Sequence, residues 1–285
     1  MARRARETAA QRASEVEADQ EGLLRALPPC PISPLMIEPW VYAVLTAVAM
    51  LAGFVDSIAG GGGLITMPAL LSCGIPPLQA LGTSKLQSTM GTGVALFNYG
   101  RSGLLNWQAH KWNVAAVFAG AAAGALVVQT INVRALAVII PVLLGAAAVY
   151  VLVSPRMTDE DAHQRLSAAG YAPIAAAIGA YDGFFGPGTG SFFTTSLVGL
   201  RGYGLTRATA LTKLFNSTSN IASLILFVLG GKILWLLGLC MAAGAMTGGW
   251  LGSHTAIRFG AKLIRPLLVV ISLALTARLL WSALA

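Results

Sequence analysis

Asp56-Ser-Ile-Ala-Gly60-Gly-Gly-Gly63 breaks an otherwise apolar run, and Asp182-Gly-Phe-Phe-Gly186-Pro-Gly188-Thr-Gly190 breaks another far downstream. Past residue 38 the chain has five acidic residues, and Asp159, Glu160 and Asp161 sit together in one polar linker. The other two, Asp56 and Asp182, stand alone just before these glycine runs. A carboxyl group at membrane depth costs about 2.5–3.5 kcal/mol on insertion scales, so an idle one should be lost. Two at matching positions indicate a duplicated site that handles ions or a polar substrate.

The surroundings of both runs are those of a membrane protein. The 285 residues are 56% hydrophobic and 11% charged, with a mean hydropathy of +0.71. Soluble domains carry about 25% charged residues. Apolar segments long enough to span, each of about 20 residues, recur from about residue 40 to residue 284. The 32 glycines suit helices that approach closely in lipid. The net charge of +8 does not imply nucleic-acid binding. Beyond residue 38 the basic residues, such as Arg101, Lys111, Arg134, Arg156, Arg165, Arg201, Arg258 and Arg265, mark segment ends, as loop charges and interface anchors do. Cys30, Cys73, Cys240, His110, His163 and His254 are scattered without ligand spacing. The sequence therefore predicts no metal and no cofactor, with Cys73 and Cys240 as packing residues and the histidines near interfaces.

Residues 1–37 are polar and mixed in charge, with no apolar core of signal-peptide type; they read as a frayed extension, and Met36 is a candidate natural start. Apolar segments follow at about 40–57, 64–73, 80–100, 112–131 and 133–153. A linker at 154–170 precedes segments at about 171–185, 190–200, 206–229, 233–256 and 263–284. The order is the same on both sides: apolar stretch, glycine break, short apolar piece, three long helices. The expected fold is an all-α polytopic membrane protein of about eight transmembrane segments. Its two homologous repeats, 38–153 and 171–285, contain glycine-broken or re-entrant helices. The halves also match in detail: Asp56 with Asp182, Gly60 and Gly62 with Gly186 and Gly188, Ala80–Leu86 with Ala208–Leu214, Gly120 and Gly124 with Gly244 and Gly248. Interrupted segments at matching positions of two halves point to a transporter's binding site.

The chemistry of that site follows from residue types. Gly60, Gly61, Gly62 and Gly63 leave helical geometry at little steric cost, and Pro187 forces the same between Gly186, Gly188 and Gly190. Unwound backbone at membrane depth is tolerated where protein or a polar cavity satisfies it. The short helices that begin at about Leu64 and Ser191 offer free N–H groups and a positive dipole end to an anion, with Thr66, Thr189, Ser191, Thr194 and Thr195 as hydroxyl donors nearby. Lys85 and Lys213, inside apolar helices, can attract an anion or neutralise the aspartate of their own repeat. Gln87, Ser88 and Thr89 continue a polar stripe from Lys85; Asn216, Ser217, Thr218, Ser219 and Asn220 do so from Lys213. The substrate-binding candidates are thus the seven glycines, Lys85, Lys213 and Asn216. Asp56 and Asp182 are candidates for proton coupling or ion pairing, because apolar surroundings raise a carboxyl pKa. Blander readings stand beside these: snorkelling lysines, hydroxyls that glue helices, aspartates as structural pairs or caps, glycines that serve close packing.

These residues carry a resemblance. Gly53-Phe-Val-Asp-Ser-Ile-Ala-Gly-Gly-Gly-Gly-Leu-Ile-Thr-Met-Pro-Ala-Leu and Ala80-Leu-Gly-Thr-Ser-Lys-Leu-Gln-Ser are similar to the sulfite exporter TauE/SafE family, also called the 4-toluene sulfonate uptake permease family. So are Tyr181-Asp-Gly-Phe-Phe-Gly-Pro-Gly-Thr-Gly-Ser-Phe, Ala210-Leu-Thr-Lys-Leu-Phe-Asn-Ser-Thr-Ser-Asn-Ile and Gly230-Gly-Lys-Ile-Leu-Trp. The likeness runs from about residue 38 to the end and is nearest the family's bacterial inner-membrane branch. It implies an inner-membrane carrier, with no catalytic residues, for small and often sulfur-containing anions such as sulfite, sulfoacetate and related organosulfonates. Partners expected from the whole sequence are a small anion, H+ and the bilayer; a homodimer is compatible with it.

Other classes fit less well. An anion channel or a non-transporting scaffold explains the apolar segments but not two unequal glycine breaks. Tyr181-Asp182 and Pro68-Ala69-Leu70 are fragments of intramembrane aspartyl protease motifs, yet Asp56 follows Gly53-Phe-Val in place of the required Gly-x-Gly. No Lys-Ser/Thr follows either glycine run at nucleotide-loop spacing. Two topologies stay open. If residues 40–73 cross the membrane, the repeats are parallel; if they form a re-entrant hairpin, the second half is inverted.

Overall fold

The computed structural model describes residues 38–153, 160–161 and 164–259. The expected extension at 1–37 with Cys30 and the start at Met36 lies outside the described residues, as do residues 154–159 and 162–163 of the linker and the last apolar segment, 263–284. Among the described residues there are nine α-helices and no strand. In the first half these are α1 (Pro39–Ala59), α2 (Gly63–Ser72), α3 (Pro77–Arg101), α4 (Lys111–Thr130) and α5 (Val133–Val153). The second half contains α6 (Ala168–Phe184), α7 (Thr189–Arg201), α8 (Leu205–Leu229) and α9 (Trp235–Phe259). The sequence expectation of an all-α polytopic membrane protein holds, and the described helices belong to one compact unit.

Local chemistry sets the helix ends. Pro77 starts α3, where its missing N–H costs nothing. Ser167 caps α6 by accepting from the Gly170 amide at 3.0 Å. Left-handed glycines flank α7 on both sides, Gly188 and Gly202. Four described helices are long and apolar enough to cross a membrane: Pro39–Ala59, Gln108–Thr130, Val133–Val151 and Trp235–Phe259. The 25-residue α3 and α8 are less apolar because each carries the polar stripe. Trp40, Trp107, Trp112 and Trp235 are more than half exposed and stand at or just before helix starts. Such placement is that of an interfacial aromatic belt.

Small residues set how the helices pair. The carbonyls of Thr46, Met50 and Phe54 on α1 lie against Gly244, Gly248 and Gly252 of α9, in that order. The same holds for Ala176 and Ala180 of α6 against Gly120 and Gly124 of α4. Both contacts run in the same chain direction, so α1 is parallel to α9 and α4 to α6. These contacts also compare the two halves. Gly120 faces Ala176 and Gly248 faces Met50, and those two stand at the same place relative to Asp182 and Asp56. Gly120 and Gly124 thus make in one half the contacts that Gly248 and Gly252 make in the other, one helical turn on from the expected Gly244 and Gly248.

The remaining contacts fix the other directions. On α3, Leu86, Gly91 and Asn98 meet Gly238, Ala245 and Ser253 of α9 in order, so these helices are parallel. Gly82, Lys85 and Thr92 meet Phe227, Asn220 and Ser217 of α8 in reverse order, so α3 and α8 are antiparallel. His110 packs on Phe215 and Gln129 bonds the Leu226 carbonyl, which makes α4 parallel to α8. Consequently α1, α3 and α9 run one way and α4, α6 and α8 the other. Corresponding elements of the two halves point in opposite directions, as in the hairpin alternative. The turn itself is visible where Gly62 folds back against Ala52 and Asp56.

Cys73 and Cys240 are free but only half-buried. His110 is buried against the edges of Tyr203 and Phe215, just before the start of α4. No group of His, Cys, Asp and Glu among the described residues could hold a metal ion.

Candidate functional site

The two glycine breaks cross each other with backbone on backbone. Gly60, Gly186 and Gly188 have φ of +77°, +99° and +86°, which only glycine adopts at little cost. A Cβ on Gly60 would lie 2.6 Å from the carbonyl carbon of Gly190, and one on Gly63 would lie 3.0 Å from Cα of Pro187. The Ser191 hydroxyl closes the crossing by donating to the Ala59 carbonyl at 3.4 Å.

Each lysine reaches across this crossing to the aspartate of the other half. Lys85 Nζ donates to the Asp182 carboxylate at 2.9 Å, to the Asp182 carbonyl at 2.6 Å and to Asn220 Oδ1 at 3.2 Å. Lys213 Nζ donates to the Asp56 carboxylate at 3.0 Å and also to the Asp56 carbonyl. The expectation that each lysine neutralises the aspartate of its own half is therefore corrected. The cause is the antiparallel pairing of α3 and α8, which delivers each lysine to the C-terminal end of the opposite half's first helix. There the ammonium also satisfies a last-turn carbonyl at the negative end of the helix dipole. Lys85 and Lys213 are 4% and 0% exposed, which rules out snorkelling for both.

The two pairs are not equivalent. The Asp182 side chain is 5% exposed and also accepts from the Ser219 hydroxyl. The Asp56 side chain is 20% exposed, and besides Lys213 it accepts from the Gly62 amide at 3.3 Å.

A cavity of about 40 Å³ opens at the crossing. Its wall holds Asp56, Asp182, Lys85 and Asn216, together with Gly60, Gly63, Gly186, Gly188 and Gly190. Among the sequence-derived candidates, Lys213, Gly61 and Gly62 do not reach this wall; Lys213 is sealed against Asp56. Gly62 borders a second cavity of about 20 Å³ with Gln87, Asp56, Gly63, Ser88 and Thr92. Asp56 thus faces both spaces. Asn216 Oδ1 and Gln87 Oε1 are buried without a hydrogen-bond partner, so each space has a polar amide group that protein atoms leave unmet.

Some wall residues escaped the sequence reading. Thr92 lies outside the polar stripes expected from the sequence, and Asn220 enters only as the end of one. The signal was present: Lys85, Ser88 and Thr92 repeat the spacing of Lys213, Asn216 and Asn220, one face of each helix. Phe185 gave no signal. The hydroxyls expected as anion donors are mostly spent within the protein. Thr66 donates to Gly62, Thr189 to Gly186, and Thr194 pairs with Thr212 at 3.0 Å.

Comparison with known proteins places this architecture. A family model described as "Sulfite exporter TauE/SafE" matches residues 45–279. "Probable membrane transporter protein YfcA" of Escherichia coli (strain K12) is 43% identical over 249 residues, covering 87% of this chain and 93% of that protein. "Probable membrane transporter protein ORF9" of Sinorhizobium sp is 46% identical over 239 residues, 84% of this chain and 92% of its own length. A "Probable membrane transporter protein" of Haemophilus influenzae is 43% identical over 240 residues, with 84% and 94% covered. No solved structure matches significantly.

Proposed function

Because the chain belongs to the sulfite exporter TauE/SafE family, we propose that it is a secondary carrier of small anions, sulfur oxyanions and organosulfonates foremost. The observation that carries this reading is the cavity where Lys85, Asn216 and the first turn of α7 converge at the glycine crossing. Lys85 supplies charge, and the first turn of α7 supplies the positive end of a helix dipole. A water needs about 10–15 Å³ of such space, so about 40 Å³ admits a few waters or one compact, dehydrated anion. Sulfite fits that description better than an aromatic sulfonate does.

The carrier reading also suits the crossing itself. Touching backbones at Gly60 and Gly190 obstruct a permanent pore, and the oppositely directed halves supply two alternative gates around one site. Proteolysis is disfavoured by the ion pairs: an aspartic dyad needs two carboxylates that share a proton, whereas here each carboxylate is held by its own lysine. The two inverted halves are read as a duplicated unit.

The test is a flux panel in proteoliposomes with sulfite, thiosulfate, sulfoacetate, methanesulfonate and acetate. Uptake of at least one sulfur-containing anion is expected, with Lys85→Ala reduced at least tenfold. No flux of any anion, or flux indifferent to Lys85→Ala, would overturn the reading.

A further inference from the structure

The inequality of the two ion pairs has a functional meaning that rests on the carrier reading above. We propose that Asp56, and not Asp182, takes up a proton with each transported anion, so that the carrier moves the two together. Asp182 is closed off: one carboxylate oxygen is held by Lys85, the other by Ser219, and its side chain is 5% exposed. Asp56 is open. Its side chain is 20% exposed, its second oxygen has only the 3.3 Å contact to the Gly62 amide, and it borders both cavities.

The second cavity gives this carboxyl group a polar antechamber. Gln87 lines that cavity, is 3% exposed and has an unpartnered Oε1, so a water or hydronium there finds both an acceptor and a route to Asp56. The charged and titratable groups near Asp56 are few. Lys213 approaches from α8, Lys85 from α3 and Asp182 from α6 across the larger cavity. Tyr99 of α3 donates its hydroxyl to the neighbouring Ser57 carbonyl at 3.0 Å. Helices α2, α7 and α9 place no charged group on either wall.

The sign of coupling follows from these charges. With both pairs intact, two lysines and two aspartates leave the site neutral. A proton on Asp56 removes one negative charge and leaves the Lys213 ammonium beside it. The cavity then carries one net positive charge and attracts an anion. Linkage is reciprocal, so whatever the proton does for anion binding the anion does equally for the proton. Anion and proton are therefore favoured together, which is cotransport and not exchange.

The experiment uses the full chain in proteoliposomes loaded with a pH-sensitive dye, and methanesulfonate as the anion because its charge does not change over the pH range used. Sulfoacetate replaces it if only that sulfonate is moved. The wild type should acidify the lumen by one proton per anion taken up. Asp56→Asn should still exchange anion at equilibrium but without acidification. The double variant Asp56→Asn with Lys213→Met, which leaves no unpaired buried lysine but restores a neutral site, should exchange more slowly and also without acidification, while Asp182→Asn should keep whatever flux it retains coupled. Wild-type uptake without acidification would overturn the proposal and leave the carrier reading standing. So would coupled transport in either Asp56 variant, or loss of equilibrium exchange in both. No flux of any panel anion in the wild type would instead remove the carrier reading itself.

Discussion

Removing both members of a crossed ion pair should cost clearly less than the two single removals added together. Lys85 makes three hydrogen bonds, two of them to Asp182 at 2.6 and 2.9 Å, and both side chains are 5% exposed. Solvent screening is slight at that burial. Breaking a buried pair by deleting one partner costs about 3–5 kcal/mol, because the other charge is left uncompensated. Lys85→Met and Asp182→Asn should each lose about that much in unfolding by SDS from mixed micelles, followed by far-ultraviolet circular dichroism. The double variant should lose clearly less than the sum, with an interaction energy of about 2–3 kcal/mol, the upper range for groups in direct contact. The same cycle across Lys213 and Asp182, which share a half but no bond, should close to within about 0.5 kcal/mol. Stronger coupling within a half than across halves would refute the crossed pairing and the helix directions from which it follows.

Gly60→Ala should be among the most damaging small substitutions. Its φ of +77° costs about 1–2 kcal/mol for an L-residue, and its Cβ would sit 2.6 Å from Gly190, adding about 1–3 kcal/mol of overpacking. Gly231→Ala, with φ of +64° but open space around it, should cost only the first of these and leave flux intact. Gly124→Ala meets the Ala180 carbonyl and should destabilise by about 1–3 kcal/mol. Gly93→Ala, with nothing within 4 Å, should instead gain about 0.5–1 kcal/mol from helix propensity. SDS unfolding of the paired variants checks all four. Asn216→Leu removes a buried group with an unpartnered oxygen, so stability should hold or rise while anion flux falls; equal losses of both would contradict a role at the cavity.

Much of this was legible in the residues. The helices fall within a few residues of the apolar segments, because membrane-length hydrophobic runs and glycine or proline breaks leave little freedom. Asp56, Asp182, Lys85 and Asn216 come together as expected, since a charge or amide in an apolar stretch has few tolerable places to go. Partner choice was not legible. Which aspartate Lys85 meets depends on the relative direction of α3 and α8, and that is decided by contacts distant in sequence such as Gly82 on Phe227 and Thr92 on Ser217. Helix register has the same origin, and it moved the matched glycines by one turn. Nor could sequence show that Lys213 is sealed while Asp56 is open. The two motifs read alike, and the difference lies in Ser219, whose hydroxyl reaches Asp182 whereas Gly91 stands at the matching place in the first half.

The most direct test of the carrier is counterflow. Proteoliposomes preloaded with unlabelled sulfite, then diluted into a trace of radiolabelled sulfite, should accumulate label transiently above its external concentration, and Lys85→Ala vesicles should not. Label that only equilibrates, at the same rate with and without Lys85, would contradict an alternating site built on the glycine crossing.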